Sequence, residues 1–156
     1  MIKIAYAKKE EAKQIVELLK YICAVHRKGR PDVFISDMPK YDEEDVCRLI
    51  DDENTRIVTA TENGEVKGYM IAEIKDETPH PHIRCMKTLY IDDICVKETE
   101  AHKGVGTALF KEAERIGKET GCERIDLNVW SFNEPAIEFY RKMGLQVSRM
   151  HMEKKL

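Results

Sequence analysis

Asn63-Gly64 lies between two runs of strand period, Arg56 to Thr61 and Val66 to Ile74. An Asn-Gly pair in that setting is the strongest short-range hairpin signal, because both residues accept the left-handed backbone of a two-residue turn. The two runs are therefore expected to be antiparallel neighbours. The segments C-terminal to this hairpin constrain the fold further. Cys85 to Val96 reads as a long apolar strand, Gly104 to Thr120 as a helix closed by Gly121, and Arg124 to Trp130 as another strand. A hairpin that runs into a β-α-β crossover implies a mixed sheet with helices on both faces.

The flanking segments fit the same plan. Ile2 to Tyr6 alternates as a short strand, and Ala12, Ile15, Val16, Leu18, Leu19 and Ile22 recur at helical spacing within Lys8 to Val25. Gly29-Arg30-Pro31-Asp32 breaks that helix, and a shorter one is expected from Asp42 to Ile50. Asp76 to His82, with Pro79 and Pro81, reads as a loop. Asn133 is a good cap for a helix from Glu134 to Met143, with Gly144 at its end. Leu145 to Met152 reads as a final strand. The fold class is α/β (α+β), in one domain spanning 1–156.

Composition narrows the function. The 156 residues carry a net charge of −3, whereas domains that coat nucleic acid commonly exceed a pI of ~9. No apolar run approaches the ~18 residues of a membrane helix. Five scattered cysteines, none in a Cys-x-x-Cys pair, suit a reducing cytoplasm. His80-Pro81-His82 supplies two imidazoles and no third ligand, so no metal is expected.

Chemistry concentrates after Leu89. In Tyr90-Ile91-Asp92-Asp93-Ile94-Cys95-Val96, two aspartates interrupt an apolar strand, where Asp is depleted. Strict alternation puts Asp92 on one face with Tyr90 and Ile94, and Asp93 on the other with Ile91 and Cys95. The plainer reading is a pair of carboxylates bonded to backbone at a bulge. Gly104-Val105-Gly106 then opens a helix whose first-turn amides attract phosphate, with His102 and Lys103 beside them. A P-loop would need Gly-x-x-x-x-Gly-Lys-Ser/Thr, which is absent. The dinucleotide fingerprint needs a third small residue where Leu109 stands, and Asp126 matches its ribose acid only superficially. Ala136, Phe139, Tyr140 and Met143 form one helical stripe, so packing alone accounts for Tyr140.

Together these pieces resemble the GNAT superfamily of acyl-CoA-dependent N-acetyltransferases. Ile94-Cys95-Val96, Gly104-Val105-Gly106, Leu127-Asn128-Val129, Asn133 and Phe139 to Gly144 fall at that family's spacing. The resemblance implies a mostly antiparallel sheet splayed between its fourth and fifth strands, with acetyl-CoA as cosubstrate. It implies that main-chain groups of Ile94, Cys95 and Val96 pair with the pantetheine arm, and that amides from His102 through Lys103, Gly104, Val105 and Gly106 to Thr107 hold the diphosphate. Asn133 would bond the arm, Tyr140 would protonate the departing thiolate, and Lys142 would border the cofactor. The family's loop usually opens with Arg or Gln where this chain has Ala101, which removes a charge-assisted contact worth roughly 1.5–3 kcal/mol.

A lysine-like amine of pKa ~10.4 must lose a proton before attack, at a cost of roughly 4.6 kcal/mol at pH 7. The resemblance points to Asp92 as the acceptor of that proton, directly or through water. A strand amide near Ile94 would meet the oxyanion. The acceptor site would be lined by Asp93, Asn128, Trp130 and His26, with Arg30 and Asp32 in the adjoining loop. The acidic strand is most similar to that of glucosamine-phosphate acetyltransferases, and its charge suits a cationic small-molecule or peptide amine. A thiol beside the thioester, Cys95, reads as a packing group in so apolar a strand. A catalytically silent acyl-CoA sensor is the competing reading, and a homodimer is common among proteins of this kind.

Overall fold

The computed structural model describes residues 1–36, 38–76 and 81–156. Its sheet runs β1 (Lys3–Tyr6), β2 (Thr55–Glu62), β3 (Glu65–Asp76), β4 (Lys87–Val96) and β5 (Arg124–Leu127), in that spatial order. All neighbours are antiparallel except β4 and β5, which are parallel. The β2–β3 hairpin turns at Asn63 (φ 51°) and Gly64 (φ 79°), both left-handed as a two-residue turn of this twist demands.

Helices α1 (Ala12–Gly29) and α2 (Glu43–Asp51) cover one face, and α3 (Val105–Glu119) and α4 (Glu134–Lys142) the other. A 3₁₀ turn, Lys9–Glu11, leads into α1, with the Lys8 amide donating to Glu11 Oε2 at 2.8 Å. The stripe of Ala12, Ile15, Val16, Leu18 and Leu19 is buried against Ile57, Tyr69 and Ile71. Asp42 and Asp45 form a reciprocal cap on α2, each carboxylate accepting from the other's amide at 2.8 and 3.1 Å. On the opposite face Leu109, Phe110, Ala113 and Ile116 of α3 meet Val58, Met70, Leu89 and Ile91. Fully burying each such aliphatic or Phe side chain stabilises the fold by roughly 1.5–3 kcal/mol, which makes these two layers rigid supports for the end of β4.

Two expectations fail. Residues 145–156 form no strand. Alternation only produces a strand where one face is buried against a neighbour, and here Val147, Met150 and Met152 remain 68%, 79% and 85% exposed. The tail is instead held by ion pairs, Glu153 to Arg30 at 2.7 Å and Lys155 to Asp32 at 3.8 Å. β5 also stops at Leu127, three residues before Trp130. No helix among the described residues is long and apolar enough to cross a membrane.

Candidate active site

The pairing of β3 with β4 slips in one place. Ile71 faces Asp93 and Ala72 faces Ile91, leaving Asp92 as an extra residue. This is a β-bulge, and it overturns the expectation that the two aspartates point to opposite faces. Ile91 and Ile94 both pack toward α3, whereas Asp92 and Asp93 both turn toward the α1–α2 layer. Cys95 follows Asp93 to that side, and Ile94 does not accompany Asp92.

The two carboxylates are held differently. Asp92 Oδ1 accepts from Lys40 Nζ at 2.6 Å, and Oδ2 from the Tyr41 hydroxyl at 2.8 Å. Asp93 Oδ2 accepts from the Tyr69 hydroxyl at 2.6 Å. Burial pushes Asp93 from its ordinary 3.8 up to about 6, against the Tyr69 hydrogen bond, with the neighbouring Asp92 charge adding to the rise and Lys40 opposing it. Burial, then the charge of Asp93, lifts the Cys95 thiol to about 12. Its Sγ lies 3.8 Å from the Leu18 carbonyl oxygen, as befits a packing group and not a nucleophile.

Beyond the bulge the sheet opens. The last β4–β5 pair is Ile91 with Leu127, so β4 continues through Ile94, Cys95 and Val96 with β3 as its partner but not β5. Close by, Ala101 and the left-handed residues His102 (φ 63°) and Gly104 (φ 84°) lead into α3. Gly104 is the N-cap and has no side chain to satisfy the first-turn amides. A Cβ at Gly104 would meet nothing within 4 Å, so the space beside this turn is free. Lys103 Nζ is 3.3 Å from Glu100 Oε2, and Thr107 is half-buried.

Helix α4 brings the other wall. Asn133 Oδ1 accepts from the Ala136 amide at 3.3 Å, which makes it the helix cap and leaves its amide NH₂ available. Tyr140 packs edge-on against Phe139 with ring centroids 5.3 Å apart. Burial, then the charges of Asp93 and Cys95, raises the Tyr140 hydroxyl pKa well above the usual phenol. Tyr140 packs against the hydrophobic cluster that includes Ile94 and Val96 of β4. Lys142, in the last turn, is exposed.

Of the residues expected to line an acceptor site, His26 and Trp130 fall in an aromatic cluster between the end of α1 and the β5–α4 loop. His26 lies 5.4 Å from Phe34 and 6.4 Å from Phe132, Phe34 is 5.4 Å from Trp130, and Trp130 stacks on Phe132 at 6.3 Å. The Arg30 guanidinium sits 5.3 Å from the Trp130 ring. Burial first, then Lys40, lowers the pKa of His26. Asn128 donates to the Tyr90 hydroxyl at 3.2 Å.

Sequence reasoning missed Lys40, Tyr41, Tyr69, Phe34 and Phe132. No local period marks the first two, whose partner is about fifty residues away. Two surface depressions, one lined by Glu53, Asn54, Arg56 and Lys87 and one by Tyr6, Asp52 and Ile57, lie at the opposite end of the strands. Among the described residues no group of His, Cys, Asp and Glu is arranged to hold a metal. In the His80-Pro81-His82 tract, His80 lies outside the described residues.

The site thus lies on an open, mostly antiparallel sheet, with a bulged fourth strand and a glycine-capped helix beyond it. Residues 19–145 match the model of the Acetyltransferase (GNAT) family, and the chain belongs to that family. It is 35% identical over 86 residues to an uncharacterised N-acetyltransferase of Lactobacillus delbrueckii subsp. lactis, covering 53% of this chain and 47% of the relative. It is 28% identical over 101 residues to the L-amino acid N-acetyltransferase AaaT of Escherichia coli, covering 64% and 59%. The chain thus spans about half the length of the curated relatives it matches. A mutant of the BH1408 protein of Bacillus halodurans superposes with a TM-score of 0.95 at 25% identity, over 99% of each chain.

Proposed function

We propose that this chain moves an acetyl group from acetyl-CoA to a primary amine of a small molecule or peptide by direct attack in a ternary complex. The observation that carries the reading is the parting of β4 from β5 after Ile91 and Leu127, which leaves the bulged acidic end of β4 beside the left-handed turn at Gly104 that opens α3. The residues fit the cofactor. Open space beside Gly104 admits a diphosphate against the first-turn amides of Val105, Gly106 and Thr107, with His102 and Lys103 alongside. Main-chain groups of Ile94, Cys95 and Val96 without a β5 partner suit the pantetheine arm, as an added strand would. Asn133 has an NH₂ to offer it, and Lys142 borders the same wall. When bound, acetyl-CoA supplies an activated thioester acyl group.

This chain's own residues do the rest. The base role moves from Asp92 to Asp93. Asp92 is already committed to Lys40 and Tyr41, whereas Asp93, at about 6, is matched to accepting a proton near neutrality. Asp92 orients the incoming ammonium. Tyr140, with its raised pKa, stays protonated and donates a hydrogen bond to the leaving sulfur. The two groups are coupled, because Asp93 contributes to that rise: once Asp93 is protonated, Tyr140 becomes the better donor. The strand amide near Ile94 meets the developing oxyanion.

The acidic pair favours a cationic acceptor, and the aromatic box of His26, Phe34, Trp130 and Phe132 favours one with an apolar or planar portion. An amino acid or peptide amine meets both requirements, in line with the name of the Escherichia coli relative. The homodimer expected from the resemblance is supported by the free edge of β5 and the exposed Val147 and Met150. The test is thiol release from acetyl-CoA across an amine panel. Amine-dependent release supports the reading. Tight acetyl-CoA binding without release for any amine would favour the silent sensor to which Ala101 inclines.

A further inference from the structure

The position proposed for the acceptor's ammonium already holds a primary ammonium of this chain. Lys40 Nζ donates to Asp92 Oδ1 at 2.6 Å and lies 5.2 Å from the Tyr41 ring, whose hydroxyl takes the other Asp92 oxygen. The Asp92 side chain is 15% exposed and that of Lys40 50%, so the carboxylate is largely shielded while the amine keeps one side open to solvent. Its charge reaches further in. Asp93, the partner of Asp92 in the bulge, and His26 both have their pKa lowered by the Lys40 charge. Several other paired lysines, among them Lys9 with Asp51, Lys20 with Glu17 and Lys67 with Glu65, bond to carboxylates outside the acidic pair.

We infer that Lys40 is an internal acetyl acceptor, occupying the amine position in cis until it is itself acetylated. The inference rests on the transferase reading above. The ammonium of Lys40 gives one proton to the Asp93 carboxylate, and the Nζ lone pair forms the N–C bond to the acetyl carbonyl carbon. The C–S bond breaks with its electron pair going to sulfur, and the second nitrogen proton ends on that sulfur. The products are a neutral Nε-acetyl-lysine, the free thiol of CoA, and one proton released to solvent from Asp93. A tethered amine needs no encounter, and that gain in effective concentration separates Lys40 from lysines paired elsewhere on the surface, such as Lys20. Once Lys40 is neutral, Asp92 keeps the Tyr41 hydroxyl as its side-chain donor and is open to an external ammonium.

The experiment incubates the purified chain with acetyl-CoA and no added amine, then maps acetylated peptides over time. Lys40 is expected to be modified at a rate independent of protein concentration and about tenfold or more ahead of Lys20 and Lys75. Tyr140→Phe should slow Lys40 and leave the other lysines unchanged, and Lys40→Arg should abolish that adduct. A second readout needs no thioester. NMR titration of the Lys40 ammonium in the ligand-free chain should move to lower pH in Asp92→Asn, and an unmoved titration overturns the inference. So does acetylation of Lys40 no faster than of Lys20, or at a rate that scales with protein concentration. An unmodified Lys40 with amine-dependent thiol release intact removes this inference alone, while loss of both removes the transferase reading.

Discussion

The Tyr69 hydroxyl, on a side chain that is otherwise fully buried, donates its hydrogen bond to Asp93 Oδ2 at 2.6 Å. Tyr69 thereby stabilises the ionised carboxylate but does not offset burial, and Asp93 remains up at about 6. The folded state binds this proton more tightly than the unfolded chain does. Stability is therefore lost as pH rises from the ordinary 3.8 through about 6, and the cost is constant above that. Asp93→Asn should stabilise the protein by roughly 3 kcal/mol at pH 8 relative to wild type, and by much less at pH 4. Urea melts at the two pH values check this.

The same substitution reports on the chemistry. In wild type, kcat/KM should rise through an acid limb near 6, set by Asp93. That limb should vanish in Asp93→Asn while acetyl-CoA binding persists. A limb retained in the variant would return the base role to Asp92 or to water.

Tyr140→Phe should lower turnover by about 10–100-fold and leave acetyl-CoA affinity by calorimetry unchanged. The ring would still pack on Phe139, so only the hydroxyl is lost. A wild-type rate of acetyl transfer would show that Tyr140 is a core residue and nothing more.

Gly104→Val should weaken acetyl-CoA binding, because a β-branched residue at φ 84° is strained and a side chain would fill the space beside the first-turn amides. A stability cost of roughly 1–3 kcal/mol accompanies it. Thermal melts separate that cost from the affinity, which calorimetry reads directly.

Gly29→Ala tests the aromatic wall. A Cβ there would collide with the Phe132 ring, which stacks on Trp130. The ring must shift, at roughly 1–3 kcal/mol of stability. We expect KM for the acceptor to rise while acetyl-CoA affinity holds.

Much of the fold was legible in residue order. The hairpin at Asn63-Gly64, both helical layers and the glycine-opened α3 come from local period and turn chemistry. Asn133 and Tyr140 could be placed on α4, because its cap and stripe lie within a few residues of each other. The bulge left a mark that strict alternation overlooked. The apolar positions Leu89, Ile91, Ile94 and Val96 step by two, then three, then two, and the extra step falls on the aspartates. Lys40 and Tyr41 were illegible for a different reason, since what brings them to Asp92 is the packing of distant elements. The final strand failed because a two-residue period says nothing about whether a neighbour is there to receive it.

The bulge in β4 implies something about the tolerance of this strand to shortening. With Asp92 deleted, Ile91, Asp93, Ile94, Cys95 and Val96 would alternate without interruption, and each apolar group would keep the layer it occupies now. The hydrophobic architecture has no use for the supernumerary position. A one-residue deletion there should leave both packed layers in place and strip the protein of half its acidic pair.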